Sequence, residues 1–231
     1  MQLIESSPLG VRAALIRMSS PDARCTYTLF PMVHIGERNF YNEVVGELES
    51  HDQILLEGVK HRVISHATQL YAKAAASPRI NLVTQSVMGK ASHLKPKCRN
   101  IDISPEDFDK YWQQLPFWHR SFYPAALTLA FTYLRFFGTR SDIARVVQFQ
   151  FRRSRKEILD YSEGPDVSDV IRDARDVHIV GEISRRHERV KDTPVAIAIV
   201  FGASHMRAIA QYLVQTHRYR AYDSRWLMVF H

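Results

Sequence analysis

Apolar residues in this chain gather into short runs that alternate with longer amphipathic stretches, a pattern that predicts an α/β protein. Residues 11–18 and 25–33 are β-rich and flank Ser19-Ser20-Pro21-Asp22-Ala23, a turn-forming cluster, so they read as a hairpin. After His34-Ile35-Gly36, Asn39 is placed to cap a helix whose apolar positions Phe40, Val44, Val45 and Leu48 follow helical spacing. Residues 54–56 are continuously apolar, as expected of a strand covered on both faces. Strand, helix and strand with short joints form a βαβ unit. Residues 67–76 read as a helix and 100–103 as a short strand. Ser104-Pro105-Glu106-Asp107 then supplies an N-cap, a proline at N1 and acids in the first turn of the next helix.

Residues 117–137 form the most apolar and aromatic stretch, interrupted by His119, Arg120 and Arg135, which argues against a membrane-spanning helix. Ser141 and Asp142 open a helix that runs into Arg152-Arg153-Ser154-Arg155-Lys156, and residues 166–189 read as a further long helix. Residues 195–201 form a buried strand, 206–216 a helix and 226–230 a closing strand. The pattern as a whole predicts a single α/β domain over residues 1–231. It has a mixed central sheet flanked by helices and a helical insertion at about 105–165.

Composition narrows the setting. The formal charge of +7 on 231 residues favours anionic partners. The only cysteines, Cys25 and Cys98, form no C-x-x-C pair, which excludes a cysteine-rich zinc module and a disulfide framework and leaves free thiols. No basic segment followed by an apolar run opens the chain, so a cytoplasmic location is expected. Arg135, Arg140, Arg145, Arg152, Arg153, Arg155 and Lys156 accompany the aromatic middle. They suit either a peripheral contact with an anionic membrane surface or the solvated face of packed helices. No nucleic-acid-binding motif accompanies the charge, and oligomeric state is not encoded legibly.

Three predicted strands run out onto groups that could carry chemistry: one onto His34, one onto Glu57, and one onto Gly202-Ala203-Ser204-His205. If the strands are parallel neighbours, their C-terminal ends gather two imidazoles and a carboxylate at the edge where open α/β sheets bind ligands. Two histidines and a carboxylate are also a common ligand set for a divalent metal. Read singly, His34 is as well explained by a hydrogen bond to the next loop, and Glu57 by an arginine on a neighbouring helix. Gly58 allows close approach of a ligand or backbone, and the small residues Gly202-Ala203-Ser204 let the chain bend tightly, so that the first amides of the next helix can receive an anion or a carbonyl oxygen. Ser204 is not a hydrolase nucleophile, because Met206 occupies the place of the last glycine in G-x-S-x-G. Asp102 is a further acid near a strand end. His51, His61, His66, His93, His119, His178, His187, His217 and His231 are expected on the surface or in loops.

The order of strand-His34, strand-Glu57-Gly58, a helix bearing Arg175-Asp176, and strand-Gly202-x-x-His205 resembles the TraB/TIKI family. That family sits within a wider group including the erythromycin-esterase and ChaN-like proteins. Its hallmarks are two G-x-x-H motifs, a glutamate ending the second motif strand, and an arginine ahead of the last motif. The second G-x-x-H is intact here, whereas Pro31 stands where the first motif has glycine. The resemblance covers residues 27–60 and 170–225. It implies a divalent-metal-dependent hydrolase acting on a peptide, amide or ester bond, with manganese, cobalt or zinc held by His34, Glu57 and His205. In that reading Glu57 is a ligand or general base, and Arg175, with Arg172 one turn away as its fallback, stabilises an oxyanion or holds a substrate carboxylate. Gly202, Ser204 and Arg172 line the substrate. The alternative is a non-catalytic ligand-binding or regulatory protein that keeps the fold.

Overall fold

The longest hydrogen-bonded ladder belongs to β2 (Gly10–Ser20), which is apolar enough to be buried along most of its length. β2 turns back antiparallel into β3 (Ala23–Met32), forming the expected hairpin with a register shift near the turn. The other edge of β2 is covered along its whole length by antiparallel β9 (Arg220–Phe230). β1 (Ile4–Ser7), absent from the sequence reading, pairs with the start of β2. Its half-buried IESS has too little apolar content to announce a strand by itself.

The computed structural model describes residues 2–156 and 167–231, and side chains outside 149–171. Beyond β3 the sheet becomes parallel. β3 pairs with β8 (Ala196–Gly202), β8 with β5 (Gln53–Leu56), and β5 with β7 (Cys98–Asn100). The result is a mixed seven-stranded sheet. A separate two-stranded ladder joins β4 (Ile35–Gly36) to β6 (Val83–Thr84), both missed in the sequence because two residues carry no periodicity.

The central strands are apolar on both faces because helices cover both. Ala198 and Val200 face a core completed by Phe40, Val44 and Leu48 of α1 (Arg38–Leu48) and by Phe131 and Leu134 of α4 (Phe117–Phe137). Ile197, Ile199 and Phe201 face the opposite core with Ile179 and Ile183 of α6 (Val167–Val190) and Ile209 and Leu213 of α7 (Met206–His217). The side-chain alternation along β8 therefore divides one apolar run between two cores. α2 (Arg62–Ala75), α3 (Pro105–Gln114) and α5 (Arg140–Lys156) complete the helices.

Several local expectations shift. Glu37, not Asn39, occupies the N-cap of α1, and its side chain makes no capping bond. The strand expected at 100–103 lies earlier, at β7. The Asn100 side chain accepts from the Asp102 amide at 2.9 Å and the Asp102 side chain from the Ile103 amide at 2.9 Å, turning the backbone out of the ladder. Ser104 caps α3 as expected, accepting from the Asp107 amide, with Pro105 first in the helix. The expected helix start at Asp166 and the insertion boundary at 165 lie outside the described residues.

Pro31 lies inside β3, buried and opposite Phe201 of β8. The β2–β3 ladder extends only to Leu29, so the proline falls where β3 has parted from β2. His51 and His187 are both buried, at 4% and 3% exposure, correcting their expected surface positions. His51 bonds Thr28 Oγ1 at 2.8 Å and the Glu47 carbonyl oxygen at 3.0 Å, which satisfies both ring nitrogens.

Because β8 is paired on both edges and covered on both faces, truncation there leaves a void its neighbours cannot fill. Ile199→Ala is expected to lower unfolding stability by about 2–5 kcal/mol, measured by denaturant titration, with the fold retained by circular dichroism.

Candidate active site at the C-terminal edge of the parallel strands

β3, β8, β5 and β7 point the same way, so the residues that follow them share one edge of the sheet. That edge receives His34 after β3, Gly202 and His205 at the end of β8, Glu57 after β5, and Asp102 after β7. Arg175 arrives on α6. Ile179 and Ile183, four and eight residues further on, are fully buried against the sheet. The same helical stripe therefore carries Arg175 inward at the strand ends.

Arg175 joins two carboxylates. Its Nη2 donates to Glu57 Oε1 at 2.6 Å and to Asp102 Oδ2 at 2.7 Å, and its Nε donates to Asp102 Oδ1 at 3.1 Å. The Asp102 side chain is fully buried and also accepts from the Gly58 amide at 3.1 Å. Glu57 Oε2 accepts from the Gly202 amide at 2.5 Å. Burial alone would raise the Glu57 carboxyl, but the charges of His205, Arg175 and His34 and the Gly202 amide together bring it down to about 2. Burial likewise opposes the Arg175 charge, and its bonds to Asp102 and Glu57 more than restore it, so its pKa is raised.

Gly202 leaves room for this approach: a Cβ there would lie a tight 3.0 Å from Glu57 Oε2 and 3.7 Å from His34 Nε2. The turn after it is closed by the His205 amide donating to the Gly202 carbonyl at 2.9 Å. It delivers a buried His205 whose Nδ1 lies 2.5 Å from Asp176 Oδ1 and whose Nε2 lies 3.6 Å from Glu57 Oε1. His34 is exposed, with Nδ1 3.1 Å from Gln85 Oε1. Each imidazole is thus oriented through Nδ1, and in His205 it is Nε2 that approaches the Glu57 carboxylate.

The structure brings together His34, Glu57, Arg175, Gly202 and His205, all anticipated from sequence, and adds Asp102 as a full member. Ser204 stands exposed on the turn. Arg172 lies one turn before Arg175, 3.6 Å from the Asp173 carboxylate. Asp176 and Gln85 were not anticipated as partners. Adjacency to Arg175 was the only signal for Asp176, and Gln85 had none. His34, Glu57 and His205 surround Gly202 without closing into a tight cage. Among the described residues, the one trio whose candidate ligand atoms all lie within 4.8 Å of one another is elsewhere, at His187, Glu188 and His217. Two surface cavities, of about 320 and 440 Å3, also lie elsewhere, one beside His61 and Trp112 and one beside Lys73 and Phe136. Comparison with protein-family models, with curated proteins and with solved structures finds no match to this chain.

A carboxyl held below its ordinary value in the folded state contributes stability that is complete above the unfolded value of 4.5 and is lost as pH falls toward about 2. Denaturant titrations from pH 5 to pH 2 are therefore expected to show a steeper loss for the wild type than for Glu57→Gln. Parallel curves would show that Glu57 is not held ionised by its neighbours.

Proposed function

We propose that the chain is a divalent-metal-dependent hydrolase of the TraB/TIKI type, acting on a peptide, amide or ester bond. The observation that carries this reading is the charge and orientation of the strand-edge group. Three carboxylates, of Glu57, Asp102 and Asp176, gather around one Arg175 beside two imidazoles, each already held through Nδ1. Imidazole and carboxylate together are the donor set that a divalent transition metal takes. His34, His205 and Glu57 would hold the ion, with manganese, cobalt and zinc as the candidates. The ion would lower the pKa of a bound water and polarise the substrate carbonyl. Asp176 orients His205 through Nδ1, and Gln85 orients His34. Arg175 keeps Glu57 ionised and oriented, so that Glu57 serves as ligand or as general base. Ser204 and Arg172 stand beside this edge as substrate contacts.

One observation favours a second reading, a non-catalytic ligand-binding or regulatory protein. Both Glu57 oxygens are already engaged, one by Arg175 and one by the Gly202 amide. Metal analysis of the purified chain separates the two. The hydrolase reading expects about one equivalent of bound metal to be lost in His34→Ala and in His205→Ala. It also expects metal-stimulated cleavage in a peptide and ester panel. Metal content equal in wild type and both variants would remove the metal centre, and specific ligand capture without turnover would support the second reading.

For partners, we propose contact with an anionic membrane surface through the middle helices. α4 exposes Phe117, Trp118, Phe122, Leu129, Phe136 and Phe137, each more than half accessible. Arg140 does not contribute, since it donates to Glu37 at 2.7 Å and to the Ile80 and His231 carbonyls. Arg145 is bound to Asp142, and the side chains of Arg152, Arg153, Arg155 and Lys156 lie outside those described. No helix among the described residues is long and apolar enough to cross a membrane. Sedimentation with phosphatidylserine vesicles is expected to capture the wild type in a salt-sensitive way, and Phe136→Ser/Phe137→Ser less well. Equal capture of both proteins, or none of either, would remove this contact.

A further inference from the structure

The sheet has a second edge, where the parallel strands begin, and α6 reaches it. Twelve residues separate Arg175 from His187 along that helix, about 18 Å at the helical rise. At this far edge His187 and Glu188, in the last turns of α6, meet His217, the last residue of α7. Candidate ligand atoms of all three lie within 4.8 Å of one another. We propose that His187, Glu188 and His217 form a second divalent-cation site, for an ion of the zinc-to-copper range, which clips the C-terminal ends of α6 and α7 together. The proposal does not depend on the strand-edge reading.

Four observations support the assignment. First, each imidazole has one nitrogen already occupied from behind and one open. His187 Nδ1 lies 3.8 Å from the buried Cys25 Sγ, and Cys25 is in turn held by Tyr219 Oη at 3.1 Å. His217 Nε2 lies 2.7 Å from Tyr212 Oη. Among the described residues, His187 Nε2 and His217 Nδ1 have no hydrogen-bond partner. That arrangement, one ring nitrogen oriented by a neighbour and the other free, is how metal-binding histidines are commonly held.

Second, the two imidazole ring centroids are 3.9 Å apart, close enough for the rings to share one cation. Third, the site stands where two helices end, and each C-terminus presents carbonyl oxygens with partial negative charge that favours a cation. Fourth, Glu188 has one oxygen on Lys191 Nζ at 2.8 Å, which leaves the other for the ion. Two imidazoles and one carboxylate suit zinc, cobalt, nickel or copper better than calcium or magnesium, which prefer oxygen donors.

The position also explains why such a clip would matter. The His217 carbonyl accepts from Ser20 Oγ at 2.7 Å, and Cys25 opens β3, so the two helix ends close over the β2–β3 hairpin. An ion bound only by the folded chain would raise its melting temperature with concentration.

The test is zinc titration by calorimetry into the full chain after chelator treatment, with thermal melts in parallel. The wild type is expected to bind zinc at this site and to gain melting temperature. His217→Gln and Glu188→Gln should each remove one equivalent of zinc or weaken it by about tenfold or more. Glu188 is exposed, so its substitution tests the site even if histidine variants fold poorly. The losses should be the same in a His205→Ala background. If the strand-edge metal reading fails, His205→Ala changes nothing while His217→Gln still removes zinc. Equal zinc uptake by wild type, His217→Gln and Glu188→Gln, or no uptake by the wild type, would overturn the proposal.

Discussion

The contact between Arg175 and the carboxylates of Glu57 and Asp102 governs the strand-end edge. Two acids that follow apolar strands are costly to bury, and one guanidinium with hydrogen bonds to both offsets most of that cost. The same contact ties α6 to β5 and β7, two parallel strands it does not follow directly in sequence. It also fixes the Glu57 carboxylate against the Gly202 amide, which sets where His205 emerges. Glycine at 202 and arginine at 175 are thus parts of one constraint: the first admits the carboxylate, the second holds its charge.

α6 divides the molecule's chemistry between two ends. Its apolar stripe of Ile179 and Ile183 packs on the sheet, with Arg175 at the strand-end edge and His187 at the strand-start edge. One end gathers three carboxylates around an arginine; the other gathers two imidazoles and a carboxylate beside helix C-termini. The separation follows from helical geometry alone, since a helix lying across a sheet presents its two ends to opposite edges. One arginine of the basic middle has a structural role. Arg140 fastens the start of α5 to Glu37, Ile80 and the terminal carbonyl of His231, so part of the excess positive charge is structural.

Most of the strands and helices were legible because their apolar periods are long. The β2–β3 hairpin, α1, β5, α7 and β8 follow apolar runs or helical spacings, α4 coincides with the most apolar stretch, and α3 was announced by its Ser104-Pro105 cap. β4 and β6 were not legible, being too short for any period, β1 was not because IESS has too little apolar content, and β7 shifted because side chains of Asn100 and Asp102 bond the backbone. At the site, His34, Glu57, Gly202 and His205 could be read because each lies at the end of a strand or within three residues after it. Asp102 was weaker, and Gln85 and Asp176 invisible as partners, because a hydrogen bond to an imidazole leaves no mark on spacing. The buried states of His51 and His187 were missed for the same reason.

The sequence alone determined the alternation of strands and helices, the apolar runs that demand cover on both faces, and the residues that end those runs. Whether those ends met was a tertiary matter. Parallel pairing of β3, β8, β5 and β7 put them on one edge, and the rotation of α6 about its own axis decided that Arg175 would face them. Local chemistry sets what a segment can become, because dihedral preference and hydrophobic period act over a few residues. Which charges share a buried space is settled only by packing, because the cost of burying them depends on every neighbour brought within a few ångströms.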